Sequence, residues 1–267
     1  SYIIIFILSF FPLLKLLKKN KDCFFIAHLI TSLPIFLFKS FKIKNKLVLR
    51  ISGMPRLNFL RKNFWKFNKQ KINVITCPSL QLLQKLKDTN IFDNEKLYFL
   101  PDAIFQIKDF IKQKKTNKSI DLPKDKKNIL GIGRLTKQKN FKYLIKEFEN
   151  FSKNNPDFNL FILGDGEEKI MLKNLINKKK LNNKVFLLGN IKNVFSYILN
   201  ADLFVLSSLW EDPGFVLIEA GLGNLFVISS NCPNGPTEFL ENGHNGILFE
   251  NNKSNALNEA LNNYLNL

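Results

Sequence analysis

The sequence predicts an α/β fold of two Rossmann-like domains, each a parallel sheet with crossover helices. Two observations predict it. Short apolar, β-rich runs recur along the chain, and each is followed by a segment with helical spacing, the alternation that parallel sheets require. The first four runs are residues 23–27, 47–51, 73–77 and 97–100; six more follow at 129–132, 159–163, 185–188, 203–206, 225–229 and 247–249. Between the two sets, residues 106–127 are Lys-rich and polar, carry Pro123 and lack a sustained apolar stripe, so they read as a linker with one short helix. The divisions expected are therefore 1–108, a linker at 109–127, and 128–267. The helices have edges as well: Phe141, Leu144, Ile145, Phe148 and Phe151 repeat at helical spacing, which buries one face and leaves the lysines solvated.

With 267 residues and 45% hydrophobic content, the chain can bury a large core. Its formal charge of +18, from 40 Lys and Arg against 22 Asp and Glu, draws it to phosphates, anionic membrane surface or nucleic acid without choosing among them. A bias toward Lys, Asn, Ile and Phe is what an AT-rich coding genome gives any protein, so the charge alone carries little. Nucleic-acid binding would need a basic patch interleaved with aromatics, whereas these lysines are spread over helix faces and the linker; no nucleic-acid partner is expected. Cys23, Cys77 and Cys232 lie far apart with no CxxC pair, which argues against a disulfide framework or a zinc site and for a reducing, cytoplasmic setting. The apolar run 2–14 is too short for an ordinary membrane span. Lys15, Lys18 and Lys19 follow it, the wrong flank for a signal peptide, so it is read as a buried helix or one lying on an anionic membrane surface.

Chemistry concentrates in two places. The first is the run from Trp210 to Glu219, after the strand at 203–206. Asp212 suits an N-cap and Pro213 the first helical position, so a helix is expected to start there. Gly214 would let an anionic group approach the first-turn amides of Phe215 and Val216, where the helix dipole favours negative charge. Glu211 then sits just before the helix and Glu219 about two turns along it, on the order of 10 Å away at 1.5 Å per residue. That span suits a nucleotide sugar, with hexose hydroxyls at one carboxylate and ribose hydroxyls at the other. Taken alone, the two glutamates would be read as solvated helix residues. The second place changes that reading: a strand runs into Gly131, Gly133 and Arg134, with Lys139 five residues on, where cations can neutralise a leaving diphosphate. Trp210 suits either the sugar pocket or the core and is read as a core residue, His244 as a loop residue and Glu238 as equally suited to capping or to the nucleotide.

These residues resemble the retaining GT-B glycosyltransferases of family 4. The resemblance runs through Gly133-Arg134-Leu135 with Lys139, Leu163-Gly164-Asp165-Gly166-Glu167, Leu188-Gly189, 201–206, Glu211 through Glu219, Gly235-Pro236-Thr237-Glu238 and 241–246, in the family's order and at about its spacing. It implies a GT-B fold, with residues 128–267 as the nucleotide-sugar-binding domain and 1–108 as a partial acceptor-side domain across a cleft. It also implies a hexosyltransferase-type enzyme that moves a sugar with retention from a nucleotide-diphosphate sugar to a glycan or lipid-linked acceptor. Surface polysaccharide or lipopolysaccharide synthesis is the setting implied. Arg134 and Lys139 would hold the diphosphate with Gly133 and Gly164 beside it, Glu219 the ribose, and Glu211 with the amides near Gly214, Phe215 and Val216 the transferred sugar. No metal or other cofactor is implied. His28, ending the run Cys23-Phe24-Phe25-Ile26-Ala27, resembles the family's cleft-facing histidine, though a lone His beside an apolar run equally suits a hydrogen-bonded core position. The resemblance weakens at the start, where the family's opening strand and helix units have no counterpart, so the sequence reads as a truncated chain. The alternative reading is a non-catalytic nucleotide-sugar-binding or assembly module.

Overall fold

The computed structural model describes residues 2–28, 31–102, 108, 110–111 and 122–267, and the chain divides into two units, Ser1–Asp102 and Ala103–Leu267. Most of the linker expected at 109–127 lies outside the described residues.

The first unit opens with helix α1 (Tyr2–Lys19), followed by β1 (Phe24–His28), α2 (Ser32–Ser40), β2 (Lys46–Arg50), α3 (Phe59–Asn68), β3 (Val74–Cys77), α4 (Leu80–Asp88) and β4 (Leu97–Phe99). The strands pair in parallel in the order β1-β2-β3-β4. Each connection is a helix because parallel neighbours need a crossover. Asn58 and Ser79 cap α3 and α4 through their side chains, accepting from the Arg61 and Leu82 amides and satisfying donors that the first turn leaves without partners. Leu47, Leu49, Ile75, Trp65, Leu82 and Leu86 form the centre of the core. Phe6, Phe10, Leu13 and Leu14 of α1 pack against it, so the expected apolar helix rests one face on the domain.

The second unit contains β5 (Lys127–Ile132), α5 (Phe141–Asn154), β6 (Phe158–Leu163), α6 (Lys169–Lys178), β7 (Val185–Gly189), α7 (Phe195–Ile198), β8 (Leu203–Leu206), α8 (Phe215–Leu222), β9 (Phe226–Ser230), α9 (Pro236–Phe239), β10 (Ile247–Phe249) and α10 (Ala256–Leu265). Six parallel strands lie in the order β10-β9-β8-β5-β6-β7. Successive residues point to opposite faces, so Ile129, Leu160, Ile162 and Val205 enter one core with α5, while Leu130, Phe161, Leu163 and Phe204 enter the other with α8. Phe110 and Leu122, inside the expected linker, join this second core. The chain runs outward from β5 through β6 to β7, then returns to β8 on the other side of β5. The β5–β8 neighbourhood is thus the switch point of a doubly wound sheet, where the loops at the carboxyl ends part in opposite directions and leave room for a ligand.

Candidate functional site at the β5–β8 switch point

Both motifs singled out in the sequence leave the sheet at this switch point, one after β5 and the other after β8. Hydrogen bonds fasten the two loops together: the Leu209 amide donates to the Gln138 carbonyl (2.8 Å), Ser207 Oγ to the Lys139 carbonyl (2.9 Å) and Gln138 Nε2 to the Trp210 carbonyl (2.9 Å). That stapling brings together side chains 72 residues apart. Lys139 Nζ lies 2.6 Å from Glu211 Oε1. The lysine stem runs across Gly133, where an added Cβ would fall 2.9 Å from Lys139 Cε. Gly164, just after β6, is packed still harder: a Cβ there would lie 1.9 Å from the Gly133 carbonyl oxygen, so any side chain would push the loops after β5 and β6 apart.

Glu211 is 3% exposed. The usual fate of a glutamate beside a helix is solvation, and the tertiary structure overrides it by placing a cation and the Ser208 hydroxyl on Oε1. A charge so buried persists only when paired and hydrogen-bonded. Two expectations are corrected here. The helix starts at Phe215, not Pro213, and its N-cap is Gly214 rather than Asp212. The reason is local: Gly214 has φ +88, a left-handed conformation that glycine adopts without penalty, and it turns the chain before helical geometry begins. That turn also seats Gly214 against Glu211, where a Cβ would sit 3.2 Å from Glu211 Cγ. Consequently Glu219 is the fifth residue of α8, little more than one turn from its start and a rise of about 6 Å from Phe215. The amides of Phe215 and Val216 belong to the first turn, which no intrahelical carbonyl reaches.

Glu219 is half-buried, and loss of hydration raises its pKa above the ordinary carboxylate range; the nearby Lys139 charge opposes that shift. One ammonium therefore acts on both glutamates. Arg134 is exposed, and among the described residues its side chain makes no ion pair or hydrogen bond. It borders a cavity of about 230 Å³ lined by Ile132, Gly133, Leu163, Gly164, Asp165, Asn190, Ile191 and Val194, at the carboxyl ends of β5, β6 and β7. Gly133, Gly164, Lys139, Glu211 and Gly214 thus meet in one constellation, with Glu219 within its electrostatic reach and Arg134 at its rim.

His28 belongs to the first unit. It ends β1 with its ring exposed, and Nε2 lies 2.6 Å from Ser52 Oγ. Its strand neighbour Arg50 pairs with Asp102 at 2.6 Å. Trp210, expected in the core, is 42% exposed, and its carbonyl accepts from Gln138 Nε2. His244 lies exposed after a short turn, as a loop residue does. Sequence reasoning missed Ser208, Gln138 and the wall formed by Asn190, Ile191 and Val194. No motif marks the last three, because they gain meaning only from the order of β5, β6 and β7.

Two parallel-sheet units, the second doubly wound with a glycine-lined switch point that carries Arg134 and Lys139, are the elements of the GT-B class of glycosyltransferase folds. The chain belongs to the glycosyl transferases group 1 family, whose model matches residues 112–267. It is 32% identical over 256 residues to an uncharacterized glycosyltransferase of Methanocaldococcus jannaschii, covering 86% of this chain and 61% of that protein. It is also 32% identical over 208 residues to the alpha-monoglucosyldiacylglycerol synthase of Acholeplasma laidlawii, covering 73% and 51% respectively. Among solved structures, a mutant of S. aureus TarM, crystallised with fondaparinux, alpha-GlcNAc-glycerol and UDP, superposes with a TM-score of 0.74 at 22% identity, over 98% of this chain and 52% of that one. The chain spans about half to three fifths of the length of these proteins.

Proposed function

We propose that this chain carries the donor-binding machinery of a retaining glycosyltransferase that transfers a sugar from a nucleoside-diphosphate sugar to a glycan or lipid-linked acceptor. The observation that carries the reading is the buried Lys139–Glu211 pair lodged between Gly133 and the first turn of α8. An ammonium has three donors. One engages Glu211, and the others remain for the diphosphate, whose oxygens would also meet the amides of Phe215 and Val216. Glu219 would take the ribose hydroxyls and Arg134 the outer phosphate charge. The cavity beside Gly133 and Gly164, apolar on the Ile191 and Val194 side, suits the planar base. As the sugar–phosphate bond loosens, negative charge grows on the leaving diphosphate, and these preorganised donors stabilise it. The cations and amides supply that stabilisation without a divalent metal, so chelation is expected to leave donor binding unchanged. UDP bound to TarM and the lipid-directed name of the Acholeplasma relative support the donor and acceptor classes.

A panel of uridine and guanosine diphosphate sugars tests the reading. At about 100 times Kd, ligand binding stabilises the folded state by roughly 2.7 kcal/mol, which thermal unfolding registers readily. Glu219→Ala is expected to abolish the rise; no rise with any nucleotide sugar would overturn the proposal. Sugar transfer by the whole protein separates a transferase from a binding module that holds the donor without turnover.

A cytoplasmic setting at the membrane is part of the same proposal. Among the described residues no helix is long and apolar enough to cross a membrane. On α1, however, Ile4, Ile7, Leu8 and Phe11 form a stripe 56–76% exposed, and Lys15 and Lys19 continue the exposed side. Residues 1–102 hold 18 Lys and Arg against five acidic residues. An apolar stripe ending in lysines fits an anionic lipid surface, the stripe entering the acyl boundary and the ammonium groups meeting headgroups. Sedimentation with phosphatidylglycerol vesicles should fall on adding salt and with Phe11→Asp. Absence of binding, or binding indifferent to both, would remove this part.

A further inference from the structure

The carboxylate of Glu211 is not symmetrically placed. Oε1 accepts from Lys139 Nζ and from Ser208 Oγ, whereas Oε2 takes no hydrogen bond from the described residues. Ser208 is fully buried, and it is held in place from behind: Ser230 Oγ, at the end of β9, donates to its carbonyl at 2.7 Å. Glu211 is fixed along its backbone too, its amide donating to the Pro233 carbonyl at 3.0 Å. The serine hydroxyl has a single proton to give, and it is spent on Oε1.

We propose that Ser208 is a positioning residue that saturates Oε1 together with Lys139 and turns Glu211 into a one-oxygen acceptor, Oε2, for a hydroxyl of the transferred sugar. This rests on the donor-site reading above and deepens it. A carboxylate free to rotate would offer either oxygen and lose orientational freedom on binding; one whose first oxygen is pinned by two donors presents the second in a fixed direction. Preorganisation of this kind strengthens recognition without adding a contact to the ligand. Recognition through Oε2 alone also demands a hydroxyl donor at that place on the sugar ring, since an unprotonated oxygen cannot recognise an acceptor.

Isothermal titration of the protein with UDP-glucose, UDP-N-acetylglucosamine and GDP-mannose, each set against UDP or GDP alone, tests this. Ser208→Ala and Ser208→Cys are both expected to weaken the sugar nucleotide by about tenfold, the scale of one charge-assisted hydrogen bond, while the nucleoside diphosphate changes less than about twofold. Because Ser208 acts through Glu211, the double variant Ser208→Ala/Glu211→Gln should bind no more weakly than Glu211→Gln alone, a coupling that a purely structural serine would not show. Loss in Glu211→Gln with no loss in either Ser208 variant overturns the inference and leaves the donor site standing. Equal weakening of sugar nucleotide and diphosphate in the Ser208 variants likewise overturns it. Wild-type protein that binds none of the sugar nucleotides overturns the donor-site reading and this inference together.

Discussion

Replacing Lys139 by alanine isolates the interaction on which the site is built. The substitution leaves Glu211, whose side chain is 4% exposed, without its cation, and breaking one side of a buried ion pair costs about 3–5 kcal/mol. Ser208 still donates to Oε1 and the lysine side is 14% exposed, so the lower end, about 3 kcal/mol, is expected. At about 2–4 °C per kcal/mol for a domain of this size, the melting temperature should fall by roughly 6–12 °C. Differential scanning calorimetry without ligand measures it. Lys139→Met/Glu211→Gln, which removes both charges and keeps most of the volume, should recover most of the loss, because the penalty belongs to the charge left without a partner. Arg134→Ala supplies the contrast: an exposed side chain with no ion pair should change stability by less than about 0.5 kcal/mol while weakening nucleotide binding. A Lys139→Ala protein that melts with the wild type, or a double variant less stable than the single one, would refute the account of Glu211 as a buried, cation-dependent carboxylate.

Burial raises the Glu219 pKa, so the folded protein binds that proton more tightly than the unfolded chain does. Stability contributed by the protonated form is then lost as pH rises from the usual glutamate range through the raised value, and Glu219→Gln should be at least as stable as the wild type at neutral pH without ligand, the difference closing near about pH 4. A less stable variant at neutral pH would contradict it. Two thiols should be inert in the native state: burial pushes Cys77 up to about 11 and Cys232 up to about 12, whereas Cys23 is exposed. Titration with a disulfide reagent near pH 8 should therefore count one thiol in the native protein and three after unfolding; three reactive thiols before unfolding would show that the two cores open readily.

The strand boundaries follow from the sequence to within one or two residues because apolar runs buried in parallel sheets are continuous and bounded by polar or glycine-rich turns, a local signal. The residue types at the site were equally readable. Gly133, Lys139, Glu211, Gly214 and Glu219 fall in two short motifs whose residue types suit phosphate and sugar hydroxyls. What the sequence could not fix was their state. Asp212-Pro213 carries the local marks of a helix start, and the backbone turn at Gly214 overrode them by moving the start to Phe215. Glu211 looks like any glutamate beside a helix; only the stapling of the β5 and β8 loops buries it on Lys139 and Ser208. The wall of Asn190, Ile191 and Val194 depends on which strands are neighbours, and strand order is a long-range property. The sequence by itself determined the elements and the chemistry available, since these rest on contacts within a few residues. Which oxygen of Glu211 is held, which charges are desolvated and where the cavity opens depend on side chains tens of residues apart, so the tertiary structure alone decided them.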